Sequence, residues 1–179
     1  MTDHVREAFL EQQYAEGMAL ADASDLVKLT PVAGTPPERY LAEFRCRGLV
    51  RNEGGEIVEA DHFSVGIWFP DDYLREADPF VVLTWLRPRA VWHPNISNRA
   101  PFICVGRLAA ATPLVEILYR IFEVITFARV TPVEDEALNR EACAWARAHQ
   151  HLLPVDRRPL KRRVTAVADF DVEPIEAMR

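Results

Sequence analysis

From Arg87 to Ala111 the chain follows neither the two-residue alternation of a strand nor the three-to-four spacing of a helix. An irregular run of that length inside a compact domain is usually functional. Strand-like and helix-like segments flank it, so the fold must hold a long irregular segment on a rigid frame. The run contains His93-Pro94-Asn95 and, eleven residues after the histidine, Cys104. Cys104 lies in the apolar stretch Pro101-Phe102-Ile103-Cys104-Val105. Two readings are open from the residues alone. A cysteine in such a stretch is a buried small hydrophobe. A cysteine just beyond a proline-locked turn that carries an amide is a nucleophile with an oxyanion donor beside it.

On the N-terminal side of this run, residues 3–23 read as a helix. Phe9, Leu10, Tyr14, Met18 and Ala21 recur at helical spacing, with Asp3 as N-cap. Strands follow at 26–32, 40–50, 63–69 and 80–86. Gly34-Thr35-Pro36-Pro37, Asn52-Glu53-Gly54-Gly55 and Pro70-Asp71-Asp72 mark the turns. On the C-terminal side, Thr112 and Pro113 read as N-cap and first position of a helix. Leu114, Val115, Ile117, Leu118, Ile121, Phe122, Val124 and Ile125 make that helix apolar nearly all round, as a buried central helix is. A last helix is predicted over 134–150, opened by Glu134-Asp135-Glu136, with Ala142, Trp145 and Ala146 on its buried side. The expected class is α+β: an N-terminal helix, a four-stranded antiparallel meander, an irregular segment, then two helices. Residues 1–151 form the domain. Residues 152–179 form an extension with a basic stretch at 157–163 and a strand at 164–172. The basic stretch is either a solvated charge run or a dock for an acidic partner.

Composition narrows the function classes. With 179 residues, 49% of them hydrophobic, the chain can bury the core of one domain. A net charge of −6 disfavours general binding to nucleic acid or anionic membranes. No apolar stretch is long enough to span a bilayer, and the N-terminus lacks the basic-then-apolar order of a signal peptide. Cys46, Cys104 and Cys143 are an odd set without a CxxC, which speaks against a disulfide framework or a zinc site and fits the reducing cytoplasm. Cys46 and Cys143 read as core residues. Lys28 and Lys161 are the only lysines, against nineteen arginines, a bias that a GC-rich genome produces.

The element order and several motifs together resemble the ubiquitin-conjugating enzymes over residues 3–150. Trp68-Phe69-Pro70-Asp71-Asp72-Tyr73 is similar to the family's FPxDYP segment, and Asp78-Pro79-Phe80 to its YPF. His93-Pro94-Asn95, with Ile96 and Asn98, is similar to its HPN motif, and Ile103-Cys104 stands where the family carries its catalytic cysteine. Thr112-Pro113-Leu114 is similar to its SPA helix start, and Glu134-Asp135-Glu136 to its acidic gate. The chain departs from the family in four places, one of them the extension after residue 151, which a minimal member lacks. Its cysteine stands eleven residues after the histidine where the family has ten, Leu74-Arg75-Glu76-Ala77 interrupts the DYPF run, and the first helix has only Arg6 as a basic docking residue. The resemblance therefore implies a divergent, bacterial-type member serving its own ubiquitin-like modifier, with a role in antiviral defence as one expectation.

The resemblance also implies a chemistry. Cys104 accepts the modifier from an activating enzyme as a thioester and passes it to an amine or other nucleophile of a protein target. Sulfur both attacks and leaves well. Asn95 either donates to the oxyanion or pins the loop; both can hold. His93 braces the loop rather than acting as a base, and Pro94 fixes the turn. Asp135 is the first choice for a carboxylate that positions the attacking ammonium, with a plain capping cluster as the alternative. Arg6, Phe69, Thr112 and Pro113 match partner-binding positions, including ligase contacts, though nothing in the sequence requires a ligase. No metal, nucleotide or other cofactor is expected on this chain. Two other readings compete: an inert scaffold of the same fold, and a cysteine hydrolase with His62, His93, His149 or His151 as base.

Overall fold

The computed structural model describes residues 4–162, apart from the side chain of Ala33. The Asp3 cap and the 164–172 strand lie outside the described residues. Helix α1 spans His4–Asp22. Its buried seam is Leu10, Gln13, Gly17 and Leu20, so Tyr14 faces out and Phe9 and Met18 are only half-buried. Gly17 sets the distance of closest approach. A Cβ there would stand 2.7 Å from Leu114 Cδ2 and 2.9 Å from Leu29 Cδ2.

Strands β1 (Val27–Gly34), β2 (Pro37–Phe44), β5 (Phe63–Trp68) and β6 (Leu83–Arg87) form one antiparallel sheet in that order. This is the expected meander, with one addition. The segment predicted as a single strand over 40–50 breaks at Arg45-Cys46-Arg47. Residues Gly48–Arg51 become β3, which pairs with β4 (Ile57–Ala60) in a separate hairpin. Cys46 is fully buried at the break, turning the chain out of the main sheet. The Asn52–Gly55 turn is present as read, but it closes this hairpin. The expected strand 80–86 is also shortened. Asp78 accepts from Phe80 N and starts a helical turn, α2 (Pro79–Val82), before β6 begins.

Helix α3 (Leu114–Ile125) is buried around most of its circumference, as its sequence demands. Its cap differs from expectation. Pro113 occupies the N-cap, Thr112 Oγ1 donates to Ala109 O, and the first free N–H, on Leu114, donates to Gln13 Oε1 at 2.8 Å. A polar residue in the apolar seam of α1 thus satisfies an orphan donor of α3. The last helix is shorter than predicted. Glu134–Glu136 is a 3₁₀ turn, and α4 (Arg140–Ala148) starts from Asn139, which accepts from Ala142 N. A second small core joins Leu49, Trp92, Phe127, Ala142 and Ala146 under the β3–β4 hairpin. It forms the floor of the irregular segment.

The described part of the extension packs on this body. Leu160 is buried in the main core, and Arg162 donates to the carbonyls of Asp22 and Ala23, the open C-terminus of α1. Asp156 is buried and accepts from Arg47 N and the Arg158 guanidinium. Arg158 and Arg162 are therefore structural clasps rather than free docking charges. The Arg158 guanidinium beside Asp156 holds its carboxyl at about 2, below the usual range. A depressed carboxyl stabilises the fold above its ordinary pKa near 4, and that stability fades as pH falls toward 2. Asp156→Asn is expected to remove about 2 kcal/mol at pH 7 and almost none at pH 2, read from denaturant midpoints.

Candidate active site

His93-Pro94-Asn95 is a tight buried turn. His93 Nδ1 accepts from Asn95 N at 3.0 Å, and Ile96 N donates to His93 O. The turn is fastened to the cysteine segment by a short ladder. Cys104 N donates to Asn95 O at 2.8 Å, Ile96 bridges Ile103, and Ser97 N donates to Phe102 O. Beyond these rungs the chain makes the 97–102 loop, where Ser97 Oγ accepts from Arg99 N and Ala100 N. Asn95 and Cys104 are thus held side by side across this loop.

The Asn95 side chain joins two segments. Its Nδ2 donates to Cys104 O at 3.1 Å, and its Oδ1 accepts from Thr131 N at 2.8 Å. This is the loop-pinning role. Nδ2 carries a second proton, which leaves the donor role chemically open. Thr131 is a residue the sequence does not flag; only its position before Pro132 and the acidic turn hints at it. Pro94 O accepts from Asn139 N, so the same turn also meets the start of α4.

His93 is 1% exposed, its ring 4.2 Å from that of Phe127. Because Nδ1 accepts, the neutral ring carries its proton on Nε2. Burial pushes the imidazole down to about 3. Phe127 sits just past α3 at φ 58°, a left-handed position usually given to glycine. The ring contact with His93 and the hydrophobic burial offset the strain of about 1–3 kcal/mol. A depressed histidine stabilises the fold above its ordinary pKa near 6.5, and that contribution is lost as pH falls toward 3. The chain should lose up to about 1.4 kcal/mol per pH unit through that window, and His93→Gln should flatten the slope in pH-dependent unfolding.

Cys104 is half-buried, whereas Cys46 and Cys143 are buried. Burial pushes the Cys46 thiol up to about 12 and raises that of Cys143, whose Sγ donates to Thr131 O. The imidazoles are committed elsewhere. His93 holds Asn95 N, His149 contacts Trp145 O and stacks on its ring, and His62 lies 3.6 Å from Glu43. His151 is exposed on the turn after α4. Among the described residues none is hydrogen-bonded to Cys104.

The remaining predicted positions divide. Asp135 is exposed on its 3₁₀ turn, 3.3 Å from Arg140, and Glu134 is 3.0 Å from Arg147. The turn is not the cap of α4, because Asn139 takes that place. Phe69 is not a surface residue. It continues the inward alternation of β5, is 1% exposed, and packs with Phe9, Tyr40 and Tyr73. Thr112 is buried too, and its carbonyl accepts from Tyr73 OH; Pro113 is exposed. Arg6 is turned onto the body, donating to Glu38 and to Phe69 O. The exposed aromatics of this region are Phe80 and Phe102, edge to face at 5.3 Å. Phe80 lies in the YPF-like segment already noted, so the motif was visible but its outward side was not.

No protein-family model matches the chain, and no curated protein matches it. Solved structures do. A ubiquitin conjugating enzyme E2 domain from Toxoplasma gondii is similar over 83% of this chain and 90% of that one, at 20% identity and a TM-score of 0.54. A Plasmodium yoelii chain assigned to the ubiquitin conjugating enzymes is similar over 80% and 86%, at 18% identity and a TM-score of 0.53. Among the described residues no helix is long and apolar enough to cross a membrane. The helix, the four-stranded meander, the irregular segment and the buried α3 that follows are those of the ubiquitin-conjugating fold.

Proposed function

We propose that this chain is a ubiquitin-conjugating-type enzyme that carries a ubiquitin-like modifier as a thioester on Cys104. The observation that carries the proposal is the setting of Cys104. It is the one partly exposed cysteine of the described residues, it lies in irregular backbone, and Asn95 holds both its N–H and its C=O. The Cys104 thiolate attacks the modifier's thioester on an activating enzyme, a tetrahedral oxyanion forms, and the activating enzyme's thiolate leaves. An amine of the target then attacks the Cys104 thioester, loses its proton, and expels the Cys104 thiolate as the amide forms. The second Asn95 Nδ2 proton is the donor available to the oxyanion. The acidic turn with Asp135, tethered through Thr131 to Asn95, is the candidate site for the incoming ammonium. ATP is consumed at the preceding activation step, and this chain needs no cofactor of its own. The partners are a modifier, an activating enzyme and a protein target; a ligase is not required by the chemistry. The reading extends to a divergent, bacterial-type member acting in the cytoplasm.

The test uses ATP with candidate activating enzymes and modifiers. Cys104→Ser should accumulate an oxyester that survives excess thiol, and Cys104→Ala should form no adduct. No adduct in any combination that loads other conjugating enzymes would favour an inert scaffold, and an adduct that persists in Cys104→Ala would move the acceptor off Cys104.

A further inference from the structure

The charge of this chain is unevenly placed. From Pro79 to Val115 there is no aspartate, glutamate or lysine, yet the segment carries Arg87, Arg89, Arg99 and Arg107, within a chain of net charge −6. Elsewhere among the described residues arginines are mostly paired: Arg47 with Glu59, Arg51 with Glu141, Arg120 with Glu116, Arg129 with Glu123. Among the described residues the four arginines of this segment have no carboxylate partner, and all four are exposed. Two of them share a groove. Arg89 and Arg99 line a cleft of about 530 Å³ between β6 and the 97–101 loop, together with Thr84, Ser97 and Asn98. No carboxylate lines it. The loop that forms one wall leads through Phe102 and Ile103 to Cys104.

We propose that this groove receives an acidic segment of the protein that is delivered to Cys104. The inference rests on the acyl-transfer reading above and names the chemistry of the donor. Guanidinium groups bind carboxylates through two parallel N–H bonds, and unpaired ones are available to a partner without first breaking an ion pair. The hydroxyls and amide of Thr84, Ser97 and Asn98 add hydrogen-bonding capacity suited to a polypeptide backbone. A protein is favoured over a nucleic acid because the rest of the surface is acidic and repels a long polyanion. The two charged segments tied to the Asn95–Cys104 pair then serve different chains. The arginine loop, reached through the Ile96–Ile103 bridge, holds the carboxylate-bearing donor. The acidic turn, reached through Thr131, meets the cationic acceptor.

The experiment is affinity alkylation of Cys104 in the full chain. Two ten-residue peptides, one of alternating Glu and Gly and one of alternating Lys and Gly, each carry a C-terminal iodoacetamide. Thiolate displaces iodide, and the rate is read by intact mass at low salt. The acidic peptide should label Cys104 about tenfold faster than the basic one, the preference expected when exposed charge pairs assist or oppose approach. The ratio should fall to near unity in 0.5 M salt and in Arg89→Gln/Arg99→Gln, and should invert in Arg89→Glu/Arg99→Glu. Arg75→Glu, an exposed arginine outside the groove, should leave it unchanged. Equal rates for the two peptides, or a preference that survives the glutamine variant, would overturn the proposal. So would an oligothymidylate that displaces the acidic peptide more strongly than free acidic peptide does, which would assign the groove to nucleic acid. The labelling ratio needs no activating enzyme. An intact ratio without any enzymatic thioester would therefore refute the transfer reading and leave the groove's preference standing.

Discussion

Asn95→Ala should destabilise the chain by about 2–4 kcal/mol and slow acyl transfer from Cys104 by about a hundredfold or more. The stability loss arises because Asn95 is 3% exposed and its amide satisfies both Cys104 O and Thr131 N. Alanine leaves two backbone groups without these partners, at about 1–3 kcal/mol for each that water cannot reach. The kinetic loss has two sources: a loosened cysteine segment, and a missing donor at the oxyanion. Asn95→Asp separates them. It keeps an acceptor for Thr131 N but brings a carboxylate to Cys104 O and removes the donor. It should cost less stability than alanine in denaturant unfolding and at least as much rate in single-turnover discharge. If aspartate discharged normally, Asn95 would be a pin alone.

The three cysteines should differ in the folded state by a factor of about a thousand or more. Cys104 is only half-buried, so a thiol reagent should reach it without unfolding. Cys46 and Cys143 are 0% and 1% exposed, so they react only through local or global opening. Opening that costs about 5 kcal/mol slows labelling by more than three orders of magnitude. Burial also raises both thiols, leaving little thiolate to react. Timed alkylation with peptide mapping should find Cys104 modified first and nearly alone, and all three equal in denaturant. Equal protection of the three in the native chain would contradict a role in which a second protein must reach Cys104.

Much of this architecture can be read from the residues, for identifiable reasons. Strand alternation at 63–69 and the all-round apolarity of 114–125 leave one way to bury each segment, and both elements form where expected. The β2–β3 boundary is not legible, because Cys46 and its neighbours continue the alternation while the backbone leaves the sheet. Caps are hidden for a related reason. Thr112-Pro113 has the local pattern of a helix start, but the partner of Leu114 N is Gln13, distant in sequence. At the site, the HPN turn and Cys104 are local and were visible. The pairing of Asn95 with Thr131 is not, since it depends on where the chain after α3 returns. Phe69 shows the limit of motif matching. Its segment fits the pattern, yet strand alternation buries the side chain and leaves Phe80 and Phe102 outside.

On the proposed function, Cys104 carries an acyl group in transit. The most direct measurement is intact and peptide mass spectrometry of the wild-type chain after incubation with ATP, an activating enzyme and its modifier. A single modifier-sized adduct should form, mapped to the peptide containing Cys104, released by thiol or hydroxylamine and transferred onto an added amine. An adduct that resists thiol, or one mapped to Cys46, Cys143 or a lysine while Cys104 stays free, would contradict it.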